Sequence, residues 1–162
     1  SGACFADFGH HVTCIDKDSS KIDALNSGLM PIWELAEAAR GVEGNIYPWG
    51  NTFDKNRCNS VESGIGDTTP VGKYSPQGDS AFGCADMAGN VWEWTSSKAS
   101  LYQENRAGQI NQAMKAWVVA RGGSYSSDPD DKQIPVSATY RDWFDPTLKH
   151  PNFGFRLVRP GQ

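Results

Sequence analysis

Hydrophobic and polar residues alternate most clearly in the middle of the chain, where residues 91–95 read VWEWT. A period of two is typical of a β-strand, and it places Trp92 and Trp94 on one face and Glu93 on the other. A second strand is predicted at residues 116–120, directly before a pair of glycines. The pattern therefore predicts short strands separated by loops.

A helical pattern replaces this alternation at residues 33–40, which read WELAEAAR. Apolar positions Leu35, Ala36 and Ala39 recur at helical spacing. Gly41 follows, and a glycine directly after such a run is a common helix end. We predict a short amphipathic helix that ends at this glycine.

The first 32 residues have a pattern of their own, which predicts a helix, a strand and a helix. The first helix covers residues 3–8, the strand covers 12–15 and ends at Asp16, and the second helix covers 21–26. We expect the strand and the second helix to pack against the tryptophan-rich core of the remaining chain, unless a partner chain completes the fold.

Composition narrows the classes of function. A length of 162 residues indicates one domain, and a net charge of −4 with a pI near 5.3 argues against nucleic-acid binding. No apolar stretch is long enough to predict a membrane span. The chain shows no leader peptide and its cysteines form no CxxC pair, which favours buried reduced thiols and a cytoplasmic location, although secretion stays open. The cysteines are Cys4, Cys14, Cys58 and Cys84.

Residues 1–34 resemble the start of the UDP-glucose 6-dehydrogenase family just past its glycine-rich turn, on the string SGACFADFGHHVTCIDKDSSKIDALNSGLMPIWE. The resemblance implies that Asp16 matches the acid that receives the ribose hydroxyls of NAD. The chain lacks the glycines that hold the pyrophosphate, so NAD is not expected as a cofactor. We therefore interpret residues 1–32 as a segment and not as an independent domain.

Residues 33–160 resemble the C-terminal part of the formylglycine-generating-enzyme, or sulfatase-modifying factor, family. The resemblance implies an α+β fold that is C-type-lectin-like and loop-rich, with little regular secondary structure, for a domain at 33–162. The blocks that carry it after the helix are YPWGN (47–51), CNS (58–60), TTPVGKYSP (68–76), GCADMAGNVWEWTSS (83–97), ARGGSY (120–125), ATYRDW (138–143) and NFGFRLVRP (152–160).

Two acids in the longest block suggest a site for a hard cation, because carboxylates and backbone carbonyls are the ligands that calcium prefers. The resemblance implies structural calcium held by Asp86, by the carbonyls of Gly89 and Val91, and by Glu93. The alternative is a plain loop in which Asp86 caps a turn and Glu93 pairs with an arginine.

The resemblance also implies a second calcium site in the CNS block. Its ligands would be Asn59 and the carbonyls of Ser60 and Ile65. The loop after Asn59 is short, so Ser63 or Glu62 would have to replace the aspartate of the family pattern.

A ligand groove is implied by the later blocks. Ser124 matches a family active-site serine, and Trp92 and Asn152 match residues that line the substrate groove. The mixture of aromatic, hydroxyl and acidic residues at 125–153 is typical of adaptable binding surfaces, and some family members are inactive paralogues or variable ligand-binding proteins. Alternatively, the aromatics are core. The further residues predicted to line the groove are Tyr125, Ser127, Tyr140, Trp143 and Phe144.

The resemblance also shows what chemistry is missing. Family enzymes hold copper with two cysteines, since soft thiolates select Cu(I). Those positions are Ser127 and Lys132 here, and no cysteine follows Cys84, so copper is not expected. His10, His11 and His150 form no recognisable ligand set.

We therefore expect a non-catalytic ligand-binding or protein-interaction module on a calcium-stabilised fold. Its partner would be a protein, a peptide or a small ligand bound between Gly123 and Gly154, and a homo-oligomer is compatible with the sequence. The alternative is an oxidoreductase of the same family that acts on a cysteine or a similar substrate with an unrecognised metal centre.

Overall fold

The computed structural model describes residues 32–100, 114–133, 135–147 and 149–156. The predicted helix, strand and helix at residues 1–31 lie outside the described residues. Their packing against the core, and the boundary between residues 32 and 33, therefore stay predictions.

The first described element is helix α1, Ile32–Arg40, as the amphipathic pattern predicts. Leu35, Ala38 and Ala39 face inward and pack with side chains from the loops at 82–87 and from Ala138. The helix ends before Gly41, and Arg40 in its last turn donates to the nearby carbonyls of Asn45 and Gly44. A cation there also complements the negative end of the helix dipole.

Four short strands form one mixed sheet with the order β3-β2-β1-β4. Strands β1, β2 and β3 pair antiparallel, whereas the edge strand β4 runs parallel to β1. The strand predicted at 116–120 exists but begins later, because Met114–Ala116 form a 3₁₀ turn. The strands are β1, Trp92–Lys98; β2, Val118–Arg121; β3, Arg141–Phe144; and β4, Phe153–Phe155.

The two tryptophans of β1 share one face, as their alternation predicts. Trp92 and Trp94 both contact Phe144 and Phe153, with ring centroids 4.9 to 6.3 Å apart. Offset and edge-on arrangements of this kind stabilise aromatic pairs beyond the area that they bury. The sheet therefore carries an aromatic cluster on this face.

A buried pair of asparagines ties the irregular loops together. Asn90 Oδ1 accepts from Thr69 N at 2.9 Å and from Asn59 Nδ2 at 3.1 Å, and Asn90 Nδ2 donates to Thr69 O at 3.2 Å. The backbone is joined as well, since Asn90 N donates to Asn59 O at 2.7 Å and Tyr125 N donates to Asn90 O at 3.0 Å. Side-chain hydrogen bonds thus replace regular secondary structure in a large part of the domain.

Two further sequence predictions concern cysteines and membranes. Cys58 and Cys84 are buried free thiols, as predicted, and burial raises the pKa of Cys58 to about 12. Cys4 and Cys14 lie outside the described residues. Among the described helices, none is long and apolar enough to cross a membrane.

Candidate functional site

A buried polar cluster forms where the chain leaves β2 through two glycines. Ser124 is fully buried and Asn152 nearly so, and Asn152 Nδ2 donates to Ser124 Oγ at 3.2 Å. Gly123 allows the tight approach of the loop, because a Cβ there would lie 3.0 Å from Val136 Cα and 3.2 Å from Ser127 Oγ. The structure therefore brings Ser124, Ser127 and Asn152 together, but all three are buried, so their role in lining a groove stays a prediction.

Hydrogen bonding fixes where the hydroxyl protons of this cluster point. Ser124 Oγ accepts from Asn152 Nδ2 and from Ser126 N, at 3.2 and 3.4 Å, so both of its lone pairs are used. These contacts favour donation of the Ser124 proton to Ser126 Oγ, 3.0 Å away. Ser126 Oγ also accepts from Asn152 Nδ2 at 3.3 Å. In this arrangement the exposed Ser126 hydroxyl donates outward.

His150 holds the amide of Asn152 in this orientation. His150 Nδ1 is hydrogen-bonded to Asn152 Oδ1. Since the amide oxygen can only accept, Nδ1 carries the proton, and the amide nitrogen is turned towards the two serines. The ring of His150 also packs edge-on against Phe153 at 6.3 Å.

Aromatic side chains pack around Trp92 at the start of β1. Trp92 is 3% exposed and packs edge-on against Tyr140 and Phe144, with centroids 5.8 and 5.7 Å apart. Tyr140 and Phe144 are half-buried and so keep part of their surface accessible. The core role that sequence reasoning left open is correct for Trp92, while Tyr140 and Phe144 retain exposed surface.

Trp143 and Tyr125 are placed differently from the other predicted groove residues. Alternation along β3 puts Trp143 on the opposite face from Phe144, so we leave Trp143 out of the groove. Tyr125 is half-buried beside the serines, and its backbone N–H binds Asn90 O. The candidate groove residues that keep accessible surface are Tyr125, Ser126, Tyr140 and Phe144.

The carboxylates of Asp142 and Asp131 lie near the phenol of Tyr140. Burial raises the pKa of Tyr140 to about 12, and the neighbouring charges of Asp142 and Asp131 add to the increase. The Tyr140 hydroxyl also donates to Asp142 Oδ2 at 3.4 Å. Two carboxylates thus place negative charge beside Tyr140.

The two positions where family enzymes place copper ligands have other roles. Ser127 is 5% exposed, and its Oγ accepts from Ser124 N at 3.0 Å, which closes the turn at 124–127. Lys132 is exposed. A hydroxyl engaged in a turn and an exposed ammonium offer no soft ligand for Cu(I).

The two acids predicted to bind calcium make the contacts expected from the alternative, in which Asp86 caps a turn and Glu93 pairs with an arginine. Asp86 has φ 54° and its Oδ2 accepts from Gly72 N at 2.7 Å. Both oxygens of Glu93 accept from Arg156, at 2.6 and 3.0 Å. Burial alone would lower the pKa of Arg156, but the charge and hydrogen bonds of Glu93 raise it. The calcium assignment stays a prediction.

A small cavity nevertheless lies beside the two acids, with a volume of about 10 Å³, roughly the space of one water. Asp86, Val91 and Glu93 line it together with Arg121. Within the described residues, no group of three or more His, Cys, Asp or Glu side chains is arranged to hold a metal ion. A cation here would therefore depend largely on backbone carbonyls.

The residues of the second predicted calcium site converge on Ser63. Its hydroxyl donates to Asn59 Oδ1 at 2.8 Å and lies 2.7 Å from Ser60 O, and Ile65 N donates weakly to it at 3.4 Å. Glu62 is exposed. Of the two candidates to replace the family aspartate, Ser63 is the one placed among the predicted ligands.

Several important residues were missed at the sequence level. Ser126 lies between the predicted groove residues Tyr125 and Ser127. The outward direction of its hydroxyl proton depends on hydrogen bonds with Ser124 and with the distant Asn152. His150 and Asn152 are two positions apart, and this proximity was the sequence feature that could have indicated their hydrogen bond. Asn90 and Arg156 lie within blocks that resemble the family, but no neighbouring residue in the sequence indicates their hydrogen-bond partners.

The fold and the site together define a loop-rich α+β domain of the formylglycine-generating type that carries serine and lysine where family enzymes bind copper. Residues 25–160 match the sulfatase-modifying factor enzyme 1-like domain, and the chain belongs to this family. Residues 1–45 also match the NAD binding domain of the UDP-glucose/GDP-mannose dehydrogenase family. Both resemblances stated from the sequence are confirmed.

Individual relatives agree with this assignment. Inactive C-alpha-formylglycine-generating enzyme 2 of Bos taurus is 36% identical over 137 residues, which cover 78% of this chain and 41% of the relative. The solved structure of Treponema denticola variable protein 1 has a TM-score of 0.63 at 25% identity, covering 80% of this chain and 46% of that one. UDP-glucose 6-dehydrogenase of Rhizobium meliloti is 65% identical over 34 residues, which are 21% of this chain and 8% of the relative. The chain thus spans less than half the length of these proteins.

Proposed function

We propose that this domain is a non-catalytic binding module that takes a protein, peptide or small ligand in the groove between Gly123 and Gly154. The observation that carries the proposal is the role of Ser127. Its hydroxyl is buried and closes the turn that positions Ser124, so the copper-ligand position has become part of the loop framework. The name of the inactive Bos taurus relative is consistent with this proposal.

The groove favours a ligand with an uncharged hydrogen-bond acceptor. The Ser126 hydroxyl is available to donate outward when its oxygen accepts from Ser124 and Asn152. The adjacent acids Asp131 and Asp142 disfavour a carboxylate or a phosphate. The accessible edges of Tyr140 and Phe144 supply apolar surface. A peptide carbonyl with an apolar neighbour meets all three conditions.

A peptide-bond mimic tests this assignment. N-acetylalanine methylamide, titrated into the ¹⁵N-labelled full chain, is expected to shift the Asn152 side-chain amide resonances, since that amide donates to Ser126. Ser126→Ala removes the outward donor and should abolish the shift, whereas the exposed Gln133→Ala serves as a control that keeps it. Absence of a shift in the wild type, or its persistence in Ser126→Ala, would refute the ligand assignment.

We also propose that a structural calcium ion binds at Asp86. Arg156 neutralises Glu93, which leaves Asp86 Oδ1 and the carbonyls of Gly89 and Val91 as the main donors. The small cavity beside Asp86 supports this placement. With one effective charge, the site would be weak, in the range of about 10⁻⁴–10⁻³ M found for extracellular calcium modules.

Thermal unfolding in calcium and in EDTA tests the ion. Calcium at roughly 100 times its Kd adds about 2.7 kcal/mol to the stability of the bound form, so the wild-type midpoint should rise. Asp86→Asn keeps an oxygen for Gly72 N and tolerates the left-handed backbone, but it removes the charge. Equal midpoints with and without calcium in the wild type would eliminate the calcium site.

A further inference from the structure

A second cleft, with a volume of about 470 Å³, opens in the described part of the chain. It is lined by residues of the 45–49 loop, by Arg57 and by residues 76–81, and it shares no lining residue with the groove or with the cavity at Asp86. Its volume falls in the range of roughly 300–1,000 Å³ that is typical of small-molecule sites, but the cleft is shallow and widely open to solvent. Nothing in the proposed function uses it.

The indole of Trp49 lines this cleft and is held by contacts within the protein. Trp49 stacks on Tyr47 with ring centroids 5.5 Å apart and an interplanar angle of 10°, and its Nε1 donates to Thr52 O at 3.0 Å. Tyr47 is itself 8% exposed and packs against Phe53. The indole is therefore fixed before any ligand arrives, and its polar N–H is already used. It offers the cleft apolar ring surface.

Planar polar side chains surround this ring. Asn45 and Gln77 use their backbone groups within the fold, since Asn45 O accepts from Arg40 and Gln77 O accepts from Arg57. Their side-chain amides have no hydrogen-bond partner among the described residues. Asp79 Oδ1 accepts from a serine hydroxyl, which leaves Oδ2 for a ligand. The rim thus offers both donors and acceptors.

The charges of the cleft argue against an ionic ligand. Arg57 is paired with Asp54 at 3.2 Å and donates to Gln77 O at 3.1 Å, so its charge is largely satisfied within the protein. Asp79 is the one carboxylate among the described residues that line the cleft, which is too few for a dedicated metal site. An anion would meet the Asp79 charge. The cleft therefore suits a neutral molecule.

The cleft therefore suits a neutral molecule that has an apolar face and, around its edge, groups that donate and accept hydrogen bonds. A proline-rich peptide would need several aromatic ridges, and Trp49 is the one aromatic ring among the described lining residues. A sugar ring has C–H groups on its faces and hydroxyls around its edge. Such a ring matches Trp49 below and the planar side chains of Asn45, Gln77 and Asp79 around it.

We propose that this cleft is a carbohydrate-binding site in which one sugar unit stacks on Trp49. The side chains of Asn45, Gln77 and Asp79 then bind its hydroxyls. The site is independent of the groove and of calcium, because it contains no residue of either.

The probes are the methyl glycosides of glucose, galactose, mannose and N-acetylglucosamine, each titrated separately into the full chain. We expect at least one of them to shift the Trp49 indole N–H resonance, which Trp49→Phe identifies, with a Kd of about 1 mM, a value that corresponds to about −4.1 kcal/mol. Gln77→Ala and Asp79→Asn should each weaken binding about tenfold. Gln133→Ala, an exposed amide elsewhere, should not change it.

Two results would overturn the proposal. One is the absence of any shift at Trp49 with all four glycosides. The other is a shift whose concentration dependence is the same in the wild type, Gln77→Ala and Asp79→Asn. Asp79→Asn keeps an oxygen for the serine hydroxyl, and Gln77 is exposed, so both variants should fold.

Discussion

Replacing Asn90 by alanine removes the side chain that joins three loops. Its amide makes three strong hydrogen bonds at 2.9 to 3.2 Å, to Thr69 and Asn59. Asn90 is 6% exposed and has φ 64°, a conformation that asparagine tolerates and alanine does not. The substitution therefore acts on both the hydrogen bonds and the backbone.

The expected loss of stability is the sum of the hydrogen-bond and backbone contributions. Three hydrogen bonds at about 1 kcal/mol each contribute about 3 kcal/mol, and the left-handed backbone adds roughly 1 kcal/mol for alanine. We expect Asn90→Ala to lower the free energy of unfolding by about 4 kcal/mol. Domains of this size are stable by only about 5–15 kcal/mol, so the variant should be close to unfolding at room temperature.

Urea unfolding followed by tryptophan fluorescence measures this change. Asn90→Gly relieves the backbone cost but not the lost hydrogen bonds, so it should recover only about 1 kcal/mol of the loss. Asn90→Asp keeps the acceptor for Thr69 N and Asn59 Nδ2 and should fall between the wild type and Asn90→Gly. A loss below about 1 kcal/mol in Asn90→Ala would show that the buried amide does not hold the loops together.

Two further substitutions address packing and titration. Gly89→Ala would place a Cβ 2.3 Å from Asn59 O at a residue with φ 80°, so the urea midpoint should fall by the equivalent of about 3 kcal/mol; an unchanged midpoint would contradict the close approach. Burial and Asp142 raise the pKa of Tyr140 from 10.0 to about 12, so its stabilising contribution is complete below pH 10 and is lost as the pH rises through about 12. The difference in phenolate absorbance between the wild type and Tyr140→Phe should appear near pH 12, and a transition near pH 10 would be inconsistent with this environment.

Local patterns in the sequence predicted α1, β1 and β2, but they did not predict β3 or β4. The shared face of Trp92 and Trp94 follows from a period of two, and the end of α1 follows from Gly41, because both depend on neighbours along the chain. The family blocks supplied the order of these elements. The start of β2 was placed too early, since nothing in the pattern distinguishes the 3₁₀ turn at Met114–Ala116 from a strand.

The details of the site depend on contacts between distant residues. Arg156 reaches Glu93 across 63 positions, and Asn90 reaches Asn59 across 31. The outward proton of Ser126 is set by Asn152, 26 positions away. No local period carries such information, so sequence reasoning could name the pairing of Glu93 with an arginine only as an alternative.

The absence of formylglycine chemistry is tested most directly by turnover. The full chain is incubated with Cu(I), oxygen and a cysteine-containing peptide, and the peptide is analysed by mass spectrometry for conversion of the thiol to an aldehyde. An active formylglycine-generating enzyme provides the positive control, and Ser127→Cys combined with Lys132→Cys tests whether restored thiolates bind copper. We predict unchanged peptide with the wild type. Aldehyde formation by the wild-type chain above the copper-only background would contradict the proposed non-catalytic function.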